Sequence, residues 1–165
     1  MKKKTENIKY TTEIEKVTSE LLSQLLIEAT VEVKEQSGGE EKGEEENKHF
    51  IVNITTSESG LLIGHHGETI NSLQLLIGVI LFKKLGKWVR VMVDIGDYRK
   101  MREESIKEMV NRIITEVEQT GRAVELPYLS PLERRIVHMM CTSNEKTVSE
   151  SAGEGKDRRV SIKPR

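Results

Sequence analysis

Apolar residues recur at helical spacing at Ile14, Val17, Leu21 and Leu25, behind a capping box made by Thr12 and Glu15, and this predicts a helix over residues 13–28. Residues 1–11 are polar, lysine-rich and unpatterned, as expected of a flexible tail. Alternating β-branched runs at 30–33 and 50–55 predict two strands. Between them, residues 36–47 read QSGGEEKGEEEN, with five Glu, three Gly and one Lys. Such a stretch buries nothing and is expected to be a disordered, acidic loop. Residues 57–63 make a short helix, and Ile70, Leu73, Leu76, Ile77 and Ile80 give the next helix an apolar stripe that Gly86 closes. Residues 88–95, WVRVMVDI, alternate as a third strand.

A long helix is expected after Asp97, with Tyr98, Met101, Ser105, Met109, Arg112 or Ile113, and Val117 on its inner face and Gly121 at its end. Residues 124–126 form a short strand before Pro127. Ser130-Pro131-Leu132-Glu133 starts a helix in three ways: serine as N-cap, proline in the first helical position and glutamate in the third. It runs to about Cys141 and is expected to bury Leu132, Ile136, Val137 and Met140 in part. Residues 147–150 and 158–162 read as two strands joined by the glycine turn SAGEGKD. The fold class is therefore α+β in two domains: residues 12–96, a three-stranded sheet packed on helices, and residues 97–165, a small α/β domain.

The chain of 165 residues carries 26 basic and 27 acidic side chains, a net charge of −1. That balance hides a gradient: residues 1–50 sum to −4, residues 97–165 to +2, and the last ten residues alone, with five bases against Asp157, to +4. A bulk-charge test for nucleic-acid binding would miss this. Aromatics are few, which argues against a broad stacking platform. The single Cys141 fits a reducing, cytoplasmic setting, and no apolar run reaches the ~20 residues of a transmembrane segment. His49, His65, His66 and Cys141 lack the regular spacing of a zinc site. His138 and Cys141 have no third partner of a nucleophilic triad, and the glycine turn at 64–67 lacks the G-K-[ST] of an NTP-binding loop. A non-catalytic protein without cofactor or metal is expected.

The turn Gly64-His65-His66-Gly67 sits in LLIGHHGETINSLQLL and opens onto the N-terminus of a helix. Two glycines three apart let a ligand approach the amides, and the helix dipole favours an anion there. A lone G-x-x-G also occurs at plain helix corners, so the surrounding element order decides. That order, helix-strand-strand-helix-turn-helix-strand, together with the motif resembles the type II KH domain. The resemblance implies that Gly64, His65, His66 and Gly67 clamp the backbone of single-stranded nucleic acid, over a groove floored by Ile63, Ile70 and Leu73. Many members carry Lys or Arg where this chain has His65 and His66. Backbone amides therefore carry more of the implied grip, and binding is expected to strengthen below about pH 6.5.

Arg134 and His138 are four apart, hence on one helix face, a pair that is usually surface decoration. In SPLERRIVHMM followed by VSESAGEGKDRRVSIKP, however, they resemble the named pair of the R-three-H domain, which binds single-stranded nucleic acid. The resemblance makes Arg158 and Arg159 flanking phosphate contacts. A type II KH domain followed by an R-three-H domain is the arrangement of the bacterial Jag family, which VDIGDYRKMREESI at the junction also resembles. Members carry an additional small N-terminal domain, whereas only residues 1–11 precede the first helix here. Membership implies a ligand of single-stranded RNA, with single-stranded DNA as a second candidate, and a role as post-transcriptional regulator or RNA chaperone. It also implies protein partners, a small KH-domain protein or the membrane insertase. The second function class left open is thus an interaction adaptor in cell-envelope regulation, with RNA binding secondary.

Overall fold

A computed structural model describes residues 2–37 and 48–165, with side chains from 10 to 36 and from 49 onward. The elements run α1 (Lys2–Gln24), β1 (Thr30–Ser37), β2 (Lys48–Thr55), α2 (Ser59–Ile63), α3 (Glu68–Leu85), β3 (Arg90–Ile95), α4 (Tyr98–Thr120), β4 (Val124–Glu125), α5 (Pro131–Thr142), β5 (Thr147–Ala152) and β6 (Arg159–Pro164). The chain divides into two compact units, Met1–Tyr98 and Arg99–Arg165. Among the described residues, no helix is long and apolar enough to cross a membrane.

In the first unit the strand order is β1-β2-β3, with β1 antiparallel and β3 parallel to β2. A parallel pair needs a crossover connection, and here α2, the glycine turn and α3 supply it. The turn therefore lies midway through a crossover whose two helices are both tied to the sheet. Phe50, Val52 and Ile54 of β2 and Val93 and Ile95 of β3 point to the covered face, where Ile14, Val17 and Leu22 of α1 and Ile70, Leu73, Ile77 and Leu81 of α3 complete the core. Gly86 ends α3 in a left-handed cap, its N–H bonded to the Phe82 carbonyl.

Several expectations are corrected here. Residues 2–11 continue α1 instead of forming an unpatterned tail. Lys and Glu are good helix formers, and adding turns to a helix already nucleated by packing at Ile14 and Val17 costs little. The other end of α1 stops at Gln24, four residues short of the predicted boundary. Its last turn closes through Ile27 N–H to the Leu22 carbonyl, with Leu26 in left-handed conformation at φ 60°. β1 extends to Ser37, so Gln36 pairs with His49 across the sheet; the rest of the expected acidic loop, residues 38–47, lies outside the described residues. Trp88 does not join β3: it is exposed and lies against Gly78 and Phe82 on α3. Leu76, expected on the inner stripe of α3, is exposed, as are Leu75, Val79 and Phe82.

The second unit has an antiparallel sheet of order β4-β6-β5. Its core joins Ile106, Val110, Ile114 and Val117 of α4 to Val137 and Cys141 of α5 and Val160 and Ile162 of β6. The predicted inner face of α4 was out of phase by about one position: Met101 and Ser105 are exposed. Tyr98 set the wrong phase because it packs on the core of the first unit instead. On α5, Leu132 is exposed and Glu133 is turned inward. The reason is local, since the Glu133 carboxylate accepts from the Ser130 N–H at 2.7 Å to close the capping box, and from Arg102 Nε at 2.7 Å.

Candidate nucleic-acid interface

Three residues of the turn have positive φ: Gly64 at 70°, His66 at 52° and Gly67 at 82°. Gly64, with ψ −174°, occupies a region essentially closed to other residues. The turn also folds tightly onto its supports. A β-carbon on Gly64 would fall 1.9 Å from Thr69 Oγ1, and one on Gly67 would meet the Tyr98 ring. The Gly67 N–H reaches the Gly64 carbonyl at 3.4 Å, and Gly67 caps α3 without any side-chain acceptor. His65 is exposed and His66 half-buried, with their rings 3.9 Å apart. Backbone amides at the start of an 18-residue helix without a side-chain cap and two imidazoles beside them are suited to an anion, with the exposed Glu68 carboxylate in the same first turn opposing it.

The expected groove floor is placed differently. Ile70 and Leu73, at 1% and 4% exposure, belong to the core and support the turn from beneath, offering a ligand no surface; Ile63 is half-buried. The helical stripe that singled them out is the stripe that packs on the sheet. Beside α3 runs the outer edge of β3, where the Val93 N–H donates to Gln74 Oε1 at 3.0 Å and the Ile95 N–H to Asp94 Oδ1 at 3.0 Å.

In the second unit, Arg134 and His138 share the face of α5 next to its buried stripe, and both are half-buried. Neither tip reaches freely outward. Arg134 Nη1 donates to the Leu129 carbonyl at 2.7 Å, and the two His138 nitrogens meet Ser149 Oγ at 2.6 Å and Ser151 Oγ at 3.0 Å. Serine hydroxyls donate or accept, so this clasp fits either tautomer of the ring. Arg159 lies opposite Ala152 in the β5–β6 ladder and bonds the Lys156 and Arg158 carbonyls, while Arg158 is exposed. The Arg159 guanidinium is 5.6 Å from the Tyr128 ring centre. The structure thus places Arg134 and His138 on one side of the second unit's sheet and, by the β5–β6 register, Arg159 on the other; against His138 and Arg159 stand, in turn, Ser149, Ser151 and Tyr128. Those last three were not singled out from the sequence, although the i, i+2 spacing of the serines on a strand was a usable signal.

A two-unit protein with the element order of a KH domain and a helix bearing an Arg/His pair is what the fold defines, and comparison with known proteins agrees. The family described as KhpA/KhpB, KH domain matches residues 15–95, and the R-three-H domain family matches residues 104–164. Proteins named RNA-binding protein KhpB are similar to the chain: from Clostridium symbiosum at 35% identity over 72% of the chain, from Lactiplantibacillus plantarum at 34% over 70%, and from Bacillus subtilis at 30% over 72%. The chain belongs to the Jag family, in which a KH domain precedes an R-three-H domain. It spans 53%, 36% and 58% of the lengths of those three proteins.

Proposed function

We propose that the chain binds single-stranded RNA without catalysing a reaction, holding phosphates at the Gly64–Gly67 turn and, in the second unit, at Arg134, His138, Arg158 and Arg159. The observation that carries this reading is the turn itself: positive φ at Gly64, His66 and Gly67, at the uncapped start of α3. The names of the relatives support RNA as the ligand. Two modest sites on one chain raise each other's effective concentration, so a strand long enough to reach both binds more tightly than either site alone would hold it. Phosphate contacts make affinity fall steeply with salt and keep sequence preference low. The biological role in this reading is that of a cytoplasmic post-transcriptional regulator or RNA chaperone. Exchanging both His65 and His66 for Asp places two like charges at the phosphates and is expected to weaken binding about tenfold, ~1.4 kcal/mol. A variant of native circular dichroism that bound RNA like the parent would refute the loop assignment.

A second reading, an adaptor for a protein partner with RNA secondary, is favoured by the apolar face of α3, where Leu75, Leu76, Val79 and Phe82 are exposed with Trp88 beside them. Crosslinking in cells separates the two: abundant RNA on the chain supports the first, while little RNA and a co-purified membrane insertase or small KH protein supports the second.

A further inference from the structure

Tyr128 is the sole Phe, Tyr or Trp in residues 99–165, yet it takes no part in the core of its unit. Its neighbours Leu126 and Leu129 do, each 1% exposed, and they pin the loop between β4 and α5 from both sides. Tyr128 is left half-buried on this fixed loop. The Arg159 guanidinium stands over its ring, itself held by hydrogen bonds of 2.6 Å to the Lys156 carbonyl and 3.2 Å to that of Arg158. Arg134 is anchored on the carbonyl of the very next residue, Leu129. A large ring kept out of the core, stiffened on its loop and bordered by the Arg159 guanidinium is poorly suited to a cationic ligand. It is well suited to a flat π-system that carries an anion on either side.

We propose that Tyr128 and Arg159 form a stacking seat for one unpaired nucleobase, with the phosphates flanking that base reaching Arg134 and Arg158. The seat rests on the RNA-binding reading and adds a base-dependent contact to a site otherwise described by phosphate contacts. Aromatic rings and guanidinium planes accept any base face, so the seat selects single strands over duplexes and discriminates weakly among bases. Because the ring and the guanidinium are already held, little side-chain freedom is lost when the base arrives.

The test measures binding of the full chain to a fluorescein-labelled oligouridylate and to an abasic ribose-phosphate oligomer of the same length. Tyr128→Ala is expected to weaken oligouridylate binding about tenfold and leave the abasic oligomer unaffected, while Tyr128→Phe keeps parental affinity for both. No loss with Tyr128→Ala, or an equal loss on both polymers, would overturn the seat while leaving phosphate binding intact. Arg158→Glu is expected to weaken both polymers; parental binding by that variant would instead overturn the RNA reading of this unit, and the seat with it. Photocrosslinking of a 5-iodouridine oligomer to the unmutated chain needs no variant to fold. An adduct on Tyr128 supports the proposal, and adducts in residues 99–165 that avoid Tyr128 contradict it.

Discussion

The Tyr98 ring stands so close to Gly67 that a β-carbon on the glycine would lie 3.1 Å from Cε1 and 3.3 Å from Oη. Together with φ of 82°, this makes Gly67→Ala costly by about 1–2 kcal/mol. Gly64→Ala is expected to cost more, about 2–3 kcal/mol, because its backbone region is closed to alanine and the new methyl would strike Thr69. Chemical denaturation followed by circular dichroism measures both. The Gly67 penalty should shrink in a Tyr98→Ala background, where the close neighbour is gone, and strict additivity would refute that contact.

Glu133 ties α5 to α4. Burial would raise its carboxyl, but the Ser130 N–H and the Arg102 guanidinium outweigh burial and hold it below the ordinary carboxylate range. A carboxyl depressed on folding contributes stability above its unfolded pKa, and that contribution is lost as pH falls through the folded one. Thermal stability should therefore drop below about pH 4. Glu133→Gln, which strands Arg102 at 23% side-chain exposure, should lower stability by about 2–3 kcal/mol at neutral pH and flatten the acid limb. An unchanged acid limb would show that other carboxylates govern it.

Leu26 closes α1 in a left-handed conformation while 89% exposed. Nothing is gained from its side chain, and the backbone geometry carries a penalty that glycine escapes. Leu26→Gly is expected to raise stability by about 0.5–1.5 kcal/mol, read as a higher denaturation midpoint. A destabilised variant would contradict the left-handed cap.

Cys141 is buried at 1% exposure, and burial pushes its thiol up against a smaller opposing effect of Ser149. A maleimide should label it slowly in the native protein and at the rate of a free thiol in denaturant. Rapid native labelling would mean that α5 opens readily from β5.

The order of elements was legible because each helix and strand keeps its own period: the capping box at Ser130 and Glu133, the Gly86 stop and the alternation of β2 and β3 are all local. Side-chain destinations were less so. The i, i+4 spacing put Arg134 and His138 on one face, but their tips turn to Leu129, Ser149 and Ser151, the serines lying 11 and 13 residues beyond His138 on another element. No local pattern encodes such a contact. Ile70 and Leu73 were read correctly as one apolar stripe and assigned to the wrong neighbour, since periodicity tells which residues share a face and not what that face meets. The phase of α4 failed for a related reason, as Tyr98 begins that helix and packs elsewhere.

The hydrogen bond from Val93 to Gln74 has a bearing beyond the site. An outermost strand with unanswered amides is a template on which another chain can polymerise. In β3 the amides of Val93 and Ile95 are already answered from within, by Gln74 and Asp94. On the opposite margin β1 presents Glu32, Lys34 and Glu35, charged side chains that repel or hydrate an incoming strand. The answered amides of β3 and the charged side chains of β1 thus both disfavour growth of the first unit's sheet by an added strand.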